Sequence, residues 1–122
     1  MTPEQFVKQF RWSLETFQVA REAQFRCVYC GHSFFDSVDA WTQFNVDHLR
    51  PGSAGERDER AENKVAACWT CNKLKSNFDP GEGVAEANRD DLIGIAKEFI
   101  EKARQVRNAK VVAMREASRK LI

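Results

Sequence analysis

Cys27-Val28-Tyr29-Cys30, Val46-Asp47-His48-Leu49-Arg50-Pro51 and Cys68-Trp69-Thr70-Cys71-Asn72-Lys73-Leu74-Lys75 are the stretches whose reading decides the fold of this chain. The four cysteines fall as two C-x-x-C pairs of identical internal spacing. Each pair can turn two thiolates toward one point, and two pairs complete the tetrahedron that zinc prefers. In a reducing compartment this pattern reads as a tetrathiolate zinc site more readily than as two disulfides or four free thiols. Iron fits the same four sulfurs, so the site is better defined than its metal.

Between the pairs, Phe44 and Val46 alternate along Trp41 to Asp47 and predict a short strand that delivers Asp47 and His48 at its end. Pro51-Gly52-Ser53-Ala54-Gly55 breaks regular structure, and the charged run from Glu56 to Glu62 extends the break into a loop over 50–62. Val65-Ala66-Ala67 predicts the returning strand, and Trp69 to about Asn77 a short helix carrying Cys71, Asn72 and Lys75. Residues 32–40 read as a connector.

Outside this segment two helices are expected. Thr2-Pro3-Glu4-Gln5 supplies a cap, a first-turn proline and a capping box, and Phe6, Phe10, Leu14 and Phe17 recur at helical spacing, predicting one helix over about 3–23. Leu92, Ile95, Ala96, Phe99, Ala103, Val106 and Ala113 mark a long helix over about 88–120. Its polar side holds Lys97, Lys102, Arg104, Arg107, Lys110, Arg115 and Arg119.

The 122 residues are 43% hydrophobic and 30% charged, which fits one globular domain over 1–122 and leaves no length for a second core of comparable size. Nine Phe and three Trp exclude global disorder. No apolar run is long enough for a membrane span, and the amino terminus lacks the layout of a secretory signal, so a soluble, cytoplasmic protein is expected. The net charge of +1 gives no global pull on polyanions. Residues 88–122 nevertheless carry nine basic and five acidic side chains, the one stretch where composition points to phosphate.

Taken singly, Asp47-His48 reads as a strand end, Asn63 as a turn residue and Asn72 as a surface amide. Together they read as hydrolytic equipment: a carboxylate is a hard-metal ligand, and an imidazole takes a proton near neutral pH. Neighbours on a strand point to opposite sides, which predicts a division of labour. Asp47 binds a cation, and His48 faces the space where a water attacks.

In order and spacing, Cys27 to Lys75 resembles the HNH endonuclease family in its zinc-stapled ββα-metal form. The carriers are Cys27-x-x-Cys30, Val46-Asp47-His48-Leu49-Arg50-Pro51, Gly52 and Gly55, Asn63, and Cys68-x-x-Cys71-Asn72-x-x-Lys75. They cover less than half of the chain, and the flanking helices lie outside the pattern. The resemblance implies an α+β fold: a hairpin and helix over 27–78 stapled by a four-cysteine zinc site and flanked by an N-terminal and a C-terminal helix. It implies a DNA endonuclease in which His48 is the general base, Asp47 binds the catalytic divalent cation, and Asn63 braces the loop and orients the histidine. The third motif position is Asn72 rather than histidine, as in an HNN subgroup. An all-oxygen set of Asp47 and Asn72 favours Mg2+ or Mn2+ over catalytic zinc.

The zinc held by Cys27, Cys30, Cys68 and Cys71 is expected to be structural, since four thiolates leave no open position. Lys75 and Arg50 are candidate phosphate contacts beside the reaction centre. Lys102, Arg104 and Arg107 are candidates for holding DNA backbone on the last helix. Trp69 is either a base-stacking platform or a cover for the metal site, and His32 an exposed connector residue. Two rivals keep the cysteines: a non-catalytic zinc module that binds nucleic acid or protein, and an iron-thiolate electron carrier. Both leave the Asp-His-Asn set without a shared task. Oligomeric state, monomer or homodimer, is open.

Overall fold

The protein is described by a computed structural model covering residues 1–52, 57–84 and 86–122. Gly55, one of the loop glycines, lies outside the described residues. The chain runs α1 (Pro3–Phe10), α2 (Leu14–Glu22), α3 (Val38–Thr42), β1 (Phe44–His48), a single 3-10 turn (Ala61–Asn63), β2 (Lys64–Cys68), α4 (Trp69–Lys75) and α5 (Arg89–Ser118). This is the expected α+β arrangement of a hairpin and short helix with helices on either side.

β1 and β2 pair antiparallel with Phe44 opposite Cys68, Asp47 opposite Val65 and His48 opposite Lys64. Directly opposed residues share a face, so Asp47 sits with Val65 and His48 with Lys64. Both faces of β2 are covered. Val65, Ala66 and Ala67 are all fully buried, with α2 and α4 both packed against the strand. The two alanines let these layers approach closely.

The amino-terminal helix differs from the expectation of one rod to about residue 23. It breaks at Arg11, whose backbone is left-handed (φ 61°), and Ser13 restarts the helix by accepting the Thr16 amide at 3.1 Å. The apolar spacing persists across the break because both short helices serve the same aromatic cluster. Trp12, delivered by the break, stacks on Trp41 with ring centroids 5.3 Å apart and lies 5.7 Å from Phe44. The 32–40 connector also contains the start of α3, capped by Ser37, whose side chain accepts the Ala40 amide at 3.0 Å.

α5 begins at a reciprocal capping box between Asn88 and Asp91 and docks on α4 through its first half, where Ala96 and Ile100 are buried. Its second half projects past the core, with Val106, Val111, Val112 and Met114 exposed. Among the described residues no helix is long and apolar enough to cross a membrane.

Ile100→Ala is expected to cost about 2–5 kcal/mol, as buried large-to-small changes do, while Val106→Ala, out on the overhang, should stay within about 0.5 kcal/mol. Urea denaturation of the two variants checks this contrast; equal losses would contradict the docking described.

Candidate metal and catalytic site

The four cysteine sulfurs all lie within 4.8 Å of one another. A tetrahedral zinc with bonds of about 2.3 Å sets its sulfurs about 3.8 Å apart. Cys30 Sγ and Cys68 Sγ are separated by 3.7 Å, so the cluster has the dimensions to hold one zinc ion. Local structure builds it. Gly31 adopts a left-handed backbone (φ 79°) and returns its amide to the Cys27 carbonyl at 2.9 Å, closing the first knuckle. The Val28 amide donates to the Ala66 carbonyl at 3.0 Å, fixing that knuckle to β2. At the other corner, Cys68 ends β2 and caps α4, its sulfur accepting the Cys71 amide at 3.3 Å.

The thiols of the cage share charge through sulfur hydrogen bonds. Hydrogen bonds from the Cys68 and Cys71 side chains hold Cys27 as a thiolate far below the usual thiol range. Sharing with Cys27 pushes Cys68 up to about 11 and raises Cys71 further. Arg104 on α5 donates to Cys71 Sγ at 3.1 Å. Burial alone would lower this guanidinium's pKa, but the sulfur bond and the neighbouring sulfurs raise it instead. Arg104 thus balances the sulfur charge and adds a polar tie between α5 and the site.

At the end of β1 the two adjacent residues turn to different partners. Asp47 is buried and faces α4: its Oδ2 accepts the Tyr29 hydroxyl at 2.7 Å and lies 3.2 Å from Lys75 Nζ. Burial, and after it the Asp47 charge, keeps the Tyr29 phenol protonated well above its ordinary range, so it serves as a donor. Lys75 Nζ also donates to the His48 carbonyl at 3.0 Å. That contact sets the Asn72–Lys75 turn of α4 against the end of β1. Among the described residues, Asp47 Oδ1 and the Asn72 carboxamide make no hydrogen bond, leaving two oxygens of the kind hard divalent cations take.

His48 turns to the loop. Its Nε2 lies 3.1 Å from Glu59 Oε2, and the bond to His48 is the main reason the Glu59 carboxyl stays below its usual range. Glu59 also pairs with Lys64, the cross-strand neighbour of His48, at 3.5 Å, and Lys64 pairs with Glu15 of α2. Asn63, buried beneath the loop, accepts the Arg50 amide at 2.9 Å and donates to the carbonyls of Arg50 at 3.0 Å and Asp58 at 2.9 Å. Its own carbonyl takes the Leu49 amide at 2.7 Å. Asn63 therefore pins the chain immediately after His48.

Three residues expected at phosphates are instead engaged within the protein. Lys75 is fully buried against Asp47, and Arg104 is spent on Cys71. Arg50 forms a two-point pair with Asp79 at 3.0 and 3.1 Å and lies over Gly81, where a Cβ would come within 2.6 Å of its Nε. Lys102 pairs with Glu98 across one turn at 3.2 Å, with both side chains largely exposed. Arg107 faces Trp69 and Lys73 of α4 across a groove. His32 is half-buried rather than exposed; among the described residues its Nε2 is shielded without a partner, and it stands outside the sulfur cluster.

Sequence reasoning missed Tyr29, Glu59 and the sulfur bond of Arg104. Tyr29 carried a signal as the one tyrosine of the chain, set inside a C-x-x-C pair. Glu59 was submerged in a charged run, and nothing in sequence ties Arg104 to Cys71.

Residues 27–78 match the family model for HNH endonuclease. No curated protein and no solved structure matches the chain.

Two outcomes follow from the cage. Zinc must displace protons that Cys68 and Cys71 hold above the ordinary thiol range, so apparent zinc affinity should rise with pH and fall on acidification. Calorimetry in two buffers of different ionisation enthalpy reads the accompanying proton release, and pH-independent binding would contradict the coupling. Cys68→Ser removes a ligand, a strand end and a helix cap together. With structural zinc worth on the order of 10 kcal/mol, it should abolish folding, as read by circular dichroism. A well-folded, metal-poor variant would overturn that expectation.

Proposed function

We propose, from the HNH character of residues 27–78, that the protein is a metal-dependent DNA endonuclease that hydrolyses phosphodiester bonds. One observation supports this above others. Lys75 holds α4 against Asp47 and the His48 carbonyl, so the turn carrying Asn72 meets the strand end carrying both of the other motif side chains.

His48 has the bonding of a general base. A carboxylate has no proton to give, so Glu59 accepts from Nε2–H, and the free lone pair of the neutral ring is then on Nδ1. A water on that side can pass its proton to Nδ1 as it attacks phosphorus. Help of this kind is typically worth about 10²–10⁴ in rate. Asn63 supports the base indirectly, by fixing the backbone of Leu49 and Arg50 so that the ring enters the reaction already oriented.

Asp47 and Asn72 are the residues that would hold the catalytic Mg2+ or Mn2+. Such a cation would supply charge neutralisation as the phosphodiester is attacked, relieving the repulsion of the nucleophile and the poor leaving ability of the alkoxide. The bond from phosphorus to the departing 3′ oxygen breaks as the bond to the attacking water oxygen forms, and the departing oxygen takes a proton from bulk water, leaving 5′-phosphate and 3′-hydroxyl ends. Until a cation arrives, Lys75 balances the Asp47 charge, which would otherwise be buried and unpaired at high cost. Zinc held by Cys27, Cys30, Cys68 and Cys71 would have no open position and would tie the first knuckle to β2 and α4.

The rival reading, a non-catalytic zinc module, draws on that same buried Asp47–Lys75 pair, and one assay separates the two. Purified protein with Mg2+ or Mn2+ should nick or linearise supercoiled plasmid. His48→Ala should lose about 10²-fold or more of that activity while retaining its zinc. Equal cleavage by the variant would remove His48 as base; no cleavage by the unsubstituted protein would favour the rival.

A further inference from the structure

The outer flank of α4 and the overhanging half of α5 enclose a groove of about 450 Å³, within the range of about 300–1,000 Å³ found for small-ligand sites. Its apolar walls are Trp69 and Leu74 from α4 and Val111 and Met114 from α5. Trp69 is 52% exposed although it lies between two buried cysteines of the cage, so it is not simply a cover for the metal. Lys73, Arg107 and Lys110 supply the charge of the groove. Lys73 Nζ lies over the Trp69 ring, 5.2 Å from its centroid, so a base that stacks on that face must move the ammonium aside. Among the described residues no acidic side chain lines the groove, and α5 carries none between Glu101 and Glu116.

A half-exposed indole with a mobile ammonium over it and further cations beside it is a combination that binds unpaired nucleotides: the ring stacks on a base face, and the cations follow the backbone. A second copy of the chain is a poor occupant. A two-fold contact through this groove would set Lys73, Arg107 and Lys110 of one copy against the same cations of the other. The position also favours a nucleic-acid strand. Trp69 lies one turn before Asn72 on α4, toward the start of β1, where its amide donates to the Gln43 carbonyl, so the groove begins about one helical turn from the part of α4 that meets the strand end.

We propose that the groove seats an unpaired nucleotide flanking the scissile bond, its base on Trp69 and the adjoining phosphates on Lys73, Arg107 and Lys110. The placement beside a scissile bond rests on the nuclease reading above; the groove's preference for unpaired nucleotides does not. The chain would therefore favour nucleic acid with a single-stranded tail or gap over a blunt duplex.

The test is fluorescence anisotropy of a labelled blunt duplex against the same duplex with a single-stranded tail, without Mg2+ or Mn2+ and without chelator, so that zinc stays and no cleavage occurs. The zinc-loaded protein should bind the tailed duplex about tenfold more tightly, in line with one stacked base. Trp69→Ala should erase the preference and Trp69→Phe should keep it, both judged against unchanged zinc content and circular dichroism. The triple change Lys73→Gln, Arg107→Gln, Lys110→Gln should flatten the salt dependence of tail binding by about two in log–log slope, at about 0.7 for each phosphate contact on a single strand. Equal affinity for the two duplexes, a preference that survives Trp69→Ala, or a Trp69-dependent dimer in sedimentation would each overturn the proposal. So would tail-independent capture of an acidic peptide by the same residues. Plasmid nicking without a tail preference removes the groove alone; a tail preference in a protein that never nicks keeps the groove and removes the nuclease reading.

Discussion

Cys68 is at once the last residue of β2, the cap of α4 and one corner of the four-sulfur cluster, and the rest of the structure depends on that coincidence. A two-stranded hairpin has little stability of its own, and a seven-residue helix has less. Joined through one residue whose sulfur accepts the amide of Cys71 in the helix's first turn, they form a single corner. The other pair of thiols, bonded to β2 through the Val28 amide, closes the corner from the opposite side. The cluster therefore fixes the angle between strand and helix, and that angle brings Lys75 to Asp47.

The buried pair of Asp47 and Lys75 is the second constraint, and it explains why α4 is placed so definitely. A carboxylate out of water needs compensation, and here an ammonium and a phenol provide it from two other elements. Tyr29 belongs to the metal knuckle, so the cage and the strand end are wired together through one hydroxyl. Disturbing the cage must then disturb Asp47. On the opposite face the ladder from His48 to Glu59, Lys64 and Glu15 carries the other half of the strand end to α2. These contacts are more exposed and correspondingly weaker.

What was legible in the sequence was local. C-x-x-C spacing constrains a knuckle whatever surrounds it, alternation over Phe44 to Asp47 constrains a strand, and Thr2 with Gln5 marks a helix start within four residues. The bracing role of Asn63 came from the family resemblance rather than from spacing, and the three side-chain bonds of that amide to the loop give the role a physical form. The break at Arg11 was not legible. The spacing of Phe6, Phe10, Leu14 and Phe17 fits an unbroken helix, and the cluster of Trp12 with Trp41 and Phe44, together with the cap at Ser13, favours turning the chain there. The internal partners of three cations were not legible for a related reason. Lys75, Arg50 and Arg104 look like phosphate contacts in a list of charges, yet each answers a buried or nearby anion that only the fold brings within reach.

The arrangement gives the short helix of the site three different tasks on three sides. Cys71 enters the cage, the Asn72–Lys75 turn meets the strand end, and Trp69 with Lys73 opens onto the groove under α5. A helix of two turns can do this only if it cannot roll about its axis, since a rotation of one residue would replace every one of these contacts. Three anchors prevent that rotation: Cys71 in the cage, the salt bridge to Asp47, and Trp69, whose amide is held by the Gln43 carbonyl at 2.7 Å. Sulfur, carboxylate and backbone oxygen surround the helix from three directions. The rigidity usually supplied by length is here supplied by its neighbours.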